Sequence, residues 1–120
     1  MLKGMGASVT GVARRPDVLA RAVEMGFRAV HFEDLEEEIR RAEIIFNTVP
    51  TLILDRTILD RVSRDAVIID LASIPGGTDF EYAEMLGIKA LLAPGLPGLV
   101  ARKLRVKIWL KSIGNLFFLI

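Results

Sequence analysis

The sequence predicts an α/β fold built on a parallel sheet, and three observations support this prediction. Apolar runs of strand length recur five times along the 120 residues, and helical patterns lie between most of them. The apolar residues are mostly Val, Ile, Leu and Ala, as expected for strands that helices cover. The third and fourth runs are almost continuously apolar, which indicates burial on both faces. Strands that alternate with helices in this way form a parallel sheet.

The five predicted strands are short apolar runs bounded by turn or capping residues. They are Ser8 to Ala13, Arg28 to Phe32, Glu43 to Val49, Ala66 to Ala72 and Ile88 to Ala93. The third and fourth runs should be central, because they lack the alternation of a half-exposed strand. The second run should be peripheral, and His31 near its end is more typical of a surface histidine than of a catalyst.

The first predicted helix begins at Pro16 and ends at Gly26, in keeping with the preference for proline at helix starts and glycine after helix ends. Its apolar face would carry Val18, Leu19, Ala22 and Val23. Asp34 with Glu37 predicts a capping box that opens a short acidic helix. The inward face of that helix would carry Leu35, Ile39 and Ala42.

Two further helices follow the third and fourth strands. Asp55 is predicted to cap the first, with Ile58, Leu59 and Val62 as its buried residues. Thr78 with Glu81 predicts another capping box, and Gly87 ends that helix. Its buried side would hold Phe80, Ala83 and either Met85 or Leu86.

Composition excludes several kinds of chemistry. The chain has no cysteine and one histidine, so disulfides, thiolate metal sites and histidine-cluster metal sites are not expected. The sequence has no signal peptide and no membrane-spanning apolar run, so we expect a cytoplasmic protein without a membrane partner. No acidic residue follows Glu84, whereas six basic residues do. Because no nucleic-acid motif accompanies them, they predict a solvated or interface surface rather than a nucleic-acid partner.

The beginning of the chain lacks a feature that this kind of fold normally has. Met1 to Gly6 read as the end of a helix and its cap, and no Gly-x-Gly-x-x-Gly motif occurs in the 120 residues. We therefore predict a doubly wound, Rossmann-like sheet without its first strand and glycine-rich loop. In the strand order 3-2-1-4-5-6 that first strand is central, so two strand edges would be exposed. The alternative is that residues 104–110 or Phe117 to Ile120 occupy the vacant position.

Three strings of residues resemble the A subunits of dipicolinate synthase. They are Asn47-Thr48-Val49-Pro50, the string from Asp70 to Phe80, and the string from Gly87 to Gly98. The resemblance implies the C-terminal NAD(P)-binding domain of an oxidoreductase of spore-forming bacteria. That enzyme oxidises a dihydrodipicolinate-like dicarboxylate to dipicolinate in sporulation, usually with a separate B subunit. Relative to the family, the chain is truncated at its N-terminus and divergent after about residue 101.

The resemblance divides the chain into residues 1–101, a partial dinucleotide-binding domain, and 102–120, a basic and apolar tail. Disruption of the coding sequence at both ends, for example by a frameshift, is one hypothesis for this division.

Two arginines follow the first predicted strand. Arg14 and Arg15 lie where an NAD enzyme would place an acidic residue on the ribose 2′-hydroxyl, and an arginine there suits a 2′-phosphate. This predicts NADP, with NAD as the alternative cofactor. The simpler interpretation is two exposed arginines that lead into a helix.

The loops after the third and fourth strands are the other predicted cofactor contacts, because ligands bind at the carboxyl ends of such strands. Their residues are Asn47, Thr48, Pro50, Leu71, Ala72 and Ser73. The alternative is that Asn47 and Thr48 only satisfy hydrogen bonds of the turn and that Asp70 faces a helix N-terminus.

Two glycine-containing turns are predicted to line the substrate pocket for the dicarboxylate. Their residues are Gly76, Gly77, Gly95, Leu96, Pro97 and Gly98. Ordinary strand-to-helix turns would explain the same residues. No general acid or base emerges, because Asp70, Asp79 and Glu81 can serve as caps or as partners of helix dipoles.

The leading prediction is therefore an NAD(P)-dependent oxidoreductase of dipicolinate-synthase type, with cofactor binding impaired by the missing phosphate loop. One alternative is a nucleotide-binding domain of another dehydrogenase, alanine dehydrogenase-like or methylenetetrahydrofolate dehydrogenase-like. The other is a non-catalytic fragment that is stabilised by self-association as a homo-oligomer.

Overall fold

A computed structural model describes residues 9–72, 74–92 and 117–120. Its strands are β1 (Thr10–Ala13), β2 (Arg28–His31), β3 (Ile44–Asn47), β4 (Val67–Asp70), β5 (Lys89–Leu92) and β6 (Phe117–Leu119). Its helices are α1 (Pro16–Glu24), α2 (Leu35–Glu38), α3 (Arg56–Leu59) and α4 (Phe80–Leu86). Short 3-10 turns, Phe32–Asp34 and Ile39–Arg41, flank α2.

The strands form one six-stranded sheet in the order β2-β1-β6-β3-β4-β5. The pairs β1 with β2, β3 with β4, and β4 with β5 are parallel. All five predicted strands are present, β3 and β4 lie inside the sheet, and β2 lies at one edge. The prediction of a doubly wound, Rossmann-like α/β fold is confirmed.

The centre of the sheet holds β6, which runs antiparallel to both of its neighbours. Phe117 pairs with Val12 and Asn47, and Leu119 pairs with Thr10 and Ile45. The expectation of two exposed central edges is therefore wrong, and the alternative that residues 117–120 fill the gap is confirmed. Unpaired backbone groups in the middle of a core are costly, and an apolar segment of the same chain satisfies them. The other candidate, residues 104–110, lies outside the described residues.

Helices cover both faces of the sheet. Alternate residues of a strand face opposite sides, and Ile45 and Phe46 accordingly belong to two different apolar clusters. One cluster packs β1 and β3 against α2, α3 and α4, and the other packs them against α1. This arrangement of helices on the two faces is that of a doubly wound fold.

The apolar faces of the helices agree with the predictions in most positions. Leu35, Ile39, Ala42, Leu59, Val62 and Ala83 are all buried. Of the two alternatives on α4, Leu86 packs against the core and Met85 is 76% exposed, whereas Val23 on α1 differs from its prediction because it is 60% exposed. Val23 lies five positions beyond Val18, which places it at the margin of the buried face of α1.

Helix capping differs from the predictions at two of three positions. Asp55 caps α3 as predicted, since its carboxylate accepts from the Ile58 N–H at 3.1 Å. The α4 cap is Asp79, which accepts from the Tyr82 N–H, because the Thr78 hydroxyl is donated elsewhere. Asp34 makes no side-chain cap, and His31 Nδ1 accepts from the Glu33 N–H to open the preceding 3-10 turn.

Candidate functional site

The candidate site lies where the parallel strands end. Because β1 to β5 run in one direction, Ala13, Asn47 and Asp70 come to the same edge of the sheet. Asn47 and Asp70 are direct register partners on neighbouring strands. We call this side of the sheet the carboxyl edge, and it is the side on which such folds bind ligands.

Asn47 is fully buried and shapes the turn after β3. Its side-chain Nδ2 donates to the Val49 carbonyl at 3.1 Å, and its Oδ1 accepts from the Val49 N–H at 2.9 Å. Both ends of the amide are thus bonded to one backbone residue. This geometry is the turn-stabilising role that the sequence left open as an alternative.

Asp70 is also fully buried, and its carboxylate holds the loop after β4. Oδ1 accepts from the Ala72 N–H at 3.0 Å. Oδ2 accepts from the Gly77 N–H and from the Thr78 hydroxyl, both at 2.8 Å. Three donors therefore satisfy both oxygens of this buried carboxylate.

The two loops at the carboxyl edge are locked to each other through Gly77. Its carbonyl accepts from the N–H groups of Ile53 and Leu54, at 3.0 and 2.9 Å. A Cβ on Gly77 would lie 2.3 Å from Asn47 Nδ2 and 2.5 Å from the Val49 carbonyl oxygen. Close packing of loops therefore requires glycine at this position, whatever ligand the loops bind.

A cleft of about 240 Å³ opens beside the end of β1. It is lined by Val12, Ala13, Arg14, Arg15, Phe32, Val49, Thr51 and Ile53. The Arg14 guanidinium carbon lies 4.4 Å from the centre of the Phe32 ring. Arg15 instead pairs with Asp17 at 2.8 Å. The two arginines, for which the sequence predicted the same role, thus have different partners.

The structure places the predicted site residues in two groups. Arg14 and Arg15 share the cleft with the loop after β3, whereas Gly76 and Gly77 pack beside Asn47 and Asp70. Ser73 and the turn made of Gly95, Leu96, Pro97 and Gly98 lie outside the described residues. Sequence reasoning did not assign six of the cleft residues, which lie at or within a few residues of the ends of β1, β2 and β3: Val12, Ala13, Phe32, Val49, Thr51 and Ile53. Their position near strand ends was the available signal.

The described residues show neither a metal-binding cluster nor a helix that could span a membrane. Histidine, aspartate and glutamate side chains nowhere gather in a group of three that could hold a metal ion, within residues 9–72, 74–92 and 117–120. In the same part of the chain, every helix is too short or too polar to cross a membrane.

The fold defines a class: this is a Rossmann-like α/β domain. No family model matches the chain. The A subunit of dipicolinate synthase from Bacillus subtilis (strain 168) is 52% identical to it over 99 residues, which are 82% of this chain and 33% of that protein. Over this part of its length, the chain belongs to the family of dipicolinate synthase A subunits.

Solved structures agree with this relationship. The crystal structure of the dipicolinate synthase A subunit from Bacillus halodurans matches with a TM-score of 0.77 and 41% identity, over 94% of this chain and 40% of that one. The crystal structure of the Bacillus subtilis protein matches with a TM-score of 0.76 and 45% identity, over 92% and 40%. The chain spans about a third of the length of its curated relative, and its fold is that of a dehydrogenase-like nucleotide-binding domain.

Proposed function

We propose that the chain is a nucleotide-binding part of an NAD(P)-dependent oxidoreductase of dipicolinate-synthase type. In this proposal the whole enzyme oxidises a dihydrodipicolinate-like dicarboxylate to dipicolinate during sporulation, in the cytoplasm and with a B subunit. The cofactor affinity of this chain by itself is impaired. The observation that carries the proposal is the cleft at the carboxyl edge between β1 and β3, since doubly wound folds bind nucleotides where the strand order reverses.

Arg14 supports NADP as the cofactor. Its guanidinium lies over the Phe32 ring at the wall of the cleft, and such stacking orients the planar group while its N–H edge can still donate. Arg15 already has Asp17 as a partner. We therefore assign the 2′-phosphate of NADP to Arg14 and give Arg15 a secondary role.

The described residues do not fit the pyrophosphate of the same cofactor. That group ordinarily binds at a glycine-rich loop between the first strand and the N-terminus of its helix. Here the central strand is β6, which starts at the carboxyl edge and ends at the opposite edge. A strand in this direction cannot lead into a phosphate-binding loop at the carboxyl edge, which is why we expect impaired binding.

The loops after β3 and β4, together with the predicted turn at residues 95–98, complete the proposed site. Asn47, Thr48, Pro50, Leu71, Ala72 and Ser73 are proposed to border the cofactor, and Gly76, Gly77, Gly95, Leu96, Pro97 and Gly98 the substrate. The hydrogen bonds of Asn47 and Gly77 support a positioning role for these two residues, in which they hold the loops in place.

Calorimetric titration of the chain with NADPH and NADH tests the impairment. We expect no binding at micromolar concentration, because the pyrophosphate makes the strongest contacts in such sites. A micromolar dissociation constant for either cofactor would contradict the proposal.

The role of Arg14 is tested separately with 2′-AMP and 5′-AMP, which lack the pyrophosphate. In an NMR titration, 2′-AMP should bind more tightly than 5′-AMP, and Arg14→Ala should abolish the preference at a loss of about tenfold in affinity. Arg56→Ala is the matched control, because Arg56 stacks on Tyr82 at 5.1 Å but does not line the cleft. An unchanged preference in Arg14→Ala would remove Arg14 from the site.

A further inference from the structure

The strand at the centre of the sheet runs in an unusual direction. We call the space between the facing edges of β1 and β3 the central slot. Its occupant, β6, is antiparallel to both walls, although the other three strand pairs are parallel. In otherwise parallel sheets, an antiparallel strand usually lies at the edge rather than in the middle.

The contacts of Leu119 in β6 and of Ile120 just after it show what the central slot recognises. Leu119 is 4% exposed and packs into the cluster on the side of α2, α3 and α4, whereas Ile120 packs against the cluster on the α1 side. Ile120 and Ile44 also exchange both backbone hydrogen bonds, at 3.0 and 3.2 Å. The slot thus accepts an extended segment that is apolar on both faces and binds it largely through main-chain groups, which tolerate changes of sequence.

The two strands that border the central slot, β1 and β3, also favour one direction for the strand between them. β1 and β3 point the same way, so a strand parallel to both would complete a uniform sheet in the order 3-2-1-4-5-6. Such a strand would end at the carboxyl edge, beside the cleft that contains Arg14. Its next residues would lie where a phosphate-binding loop is needed.

We propose that the central slot is a strand-binding site in which β6 is a replaceable occupant. Its other ligand is a parallel apolar strand of a second polypeptide, which continues into a glycine-rich loop and a helix. The chain corresponds to 33% of its Bacillus subtilis relative, so longer proteins of this kind contain additional sequence that can supply such a strand. The nucleotide part of this proposal rests on the proposed function; strand binding does not.

Disulfide trapping tests the proposal cleanly, because the chain has no cysteine of its own. Thr51→Cys marks the carboxyl edge at the cleft, Glu43→Cys marks the opposite end of β3, and Leu92→Cys marks the outer edge strand. Each variant of the 120-residue chain is refolded in a glutathione redox buffer, whose oxidised form accepts the two electrons of disulfide formation. The buffer contains an excess of a synthetic peptide that joins the strand Val-Ile-Val-Ile to the loop Gly-Ala-Gly-Cys-Ile-Gly and a helix of about three turns. Refolding together lets the peptide compete with β6 in every molecule.

We expect the peptide thiol to react with Thr51→Cys at least about tenfold more than with Glu43→Cys or Leu92→Cys, because only a parallel strand in the slot brings the loop there. A peptide with proline in the middle of its strand should lose this reaction, since it cannot complete the backbone pairing. Absence of the Thr51→Cys product, equal reaction at all three positions, or preference for Glu43→Cys would each overturn the proposal.

NADPH titration of the trapped complex separates the two proposals. Binding that appears only in the complex supports both of them. Specific trapping without NADPH binding leaves the strand site standing and contradicts the proposed nucleotide function instead.

Discussion

Three buried polar side chains organise the carboxyl edge: Asn47, Asp70 and Thr78. Within the described ranges, no buried side-chain nitrogen or oxygen lacks a hydrogen-bond partner. Asn47 and Asp70 are hydrogen-bonded to the backbone of the loops after β3 and β4, and Thr78 donates to Asp70. These residues therefore build the rigid frame on which a ligand site at this edge depends.

Asp70→Asn tests this frame. The amide nitrogen would face either the Ala72 N–H or the pair of donors from Gly77 and Thr78, so at least one buried donor loses its acceptor. We expect a loss of about 2–4 kcal/mol in the free energy of unfolding, measured by urea denaturation. The exposed Asp65→Asn is the control and should change stability by less than about 0.5 kcal/mol. Equal effects of the two substitutions would show that the Asp70 bonds are dispensable.

Gly77→Ala tests the packing of the two loops. The added Cβ would meet two backbone carbonyl oxygens, at 2.5 and 2.7 Å, which cannot move without shifting the loop. We expect a cost of about 3 kcal/mol or more. Gly87→Ala is the control, because Gly87 has a positive φ of 78° but open space around its Cβ position. Its cost should be about 1 kcal/mol, from backbone strain alone. A smaller effect at Gly77 than at Gly87 would contradict the packing argument.

At the scale of elements, β6 is the least expected part of the fold. It has three residues, lies between two longer strands, and completes the hydrogen bonding of both. A strand of this length gains little from its own conformational preference, so its stability comes from the walls of the slot. Its side chains should therefore contribute to the stability of the whole sheet.

Leu119→Ala tests that dependence. Leu119 is 4% exposed within the cluster packed by α2, α3 and α4, so truncation leaves a cavity in the core. We expect a loss of about 2–4 kcal/mol in the free energy of unfolding, measured by thermal or urea denaturation. Leu91→Ala, on the outer strand and 57% exposed, is the matched control and should cost under about 1 kcal/mol. Similar costs at both positions would mean that β6 does not belong to the cooperative core.

At the scale of the whole molecule, an ion pair connects two elements at the side of the sheet away from the candidate site. Opposite the carboxyl edge, Arg28 at the start of β2 donates to Glu38 at the end of α2. This bond lowers the pKa of Glu38 below its ordinary value, and Arg41 contributes in the same direction. The pair ties the acidic helix to the edge strand, so the stability of the fold should depend on pH.

The sign of that dependence follows from the lowered pKa. Ionised Glu38 stabilises the fold above its unfolded pKa, and this contribution is lost as the pH falls through the folded pKa. Glu38→Gln should therefore be less stable than the natural chain at neutral pH, and the difference should shrink and then vanish as the pH falls through the lowered pKa of Glu38. Urea midpoints across this range measure it, with exposed Glu84→Gln as the control. A difference that stays constant with pH would rule out the ion pair as its source.

Apolar patterning along the chain was sufficient to predict the α/β class, all five parallel strands and the inward residues Leu35, Ile39 and Leu59, because burial imposes a local period on the sequence. The caps of α2 and α4 were not predictable in the same way. The Thr78 hydroxyl can cap a helix or donate to Asp70, and that choice depends on a strand distant in sequence. The occupant of the central slot is the clearest such case. Nothing local in Phe117 to Ile120 specifies its neighbours, and only the unsatisfied edges of β1 and β3 place it between them, in the antiparallel direction.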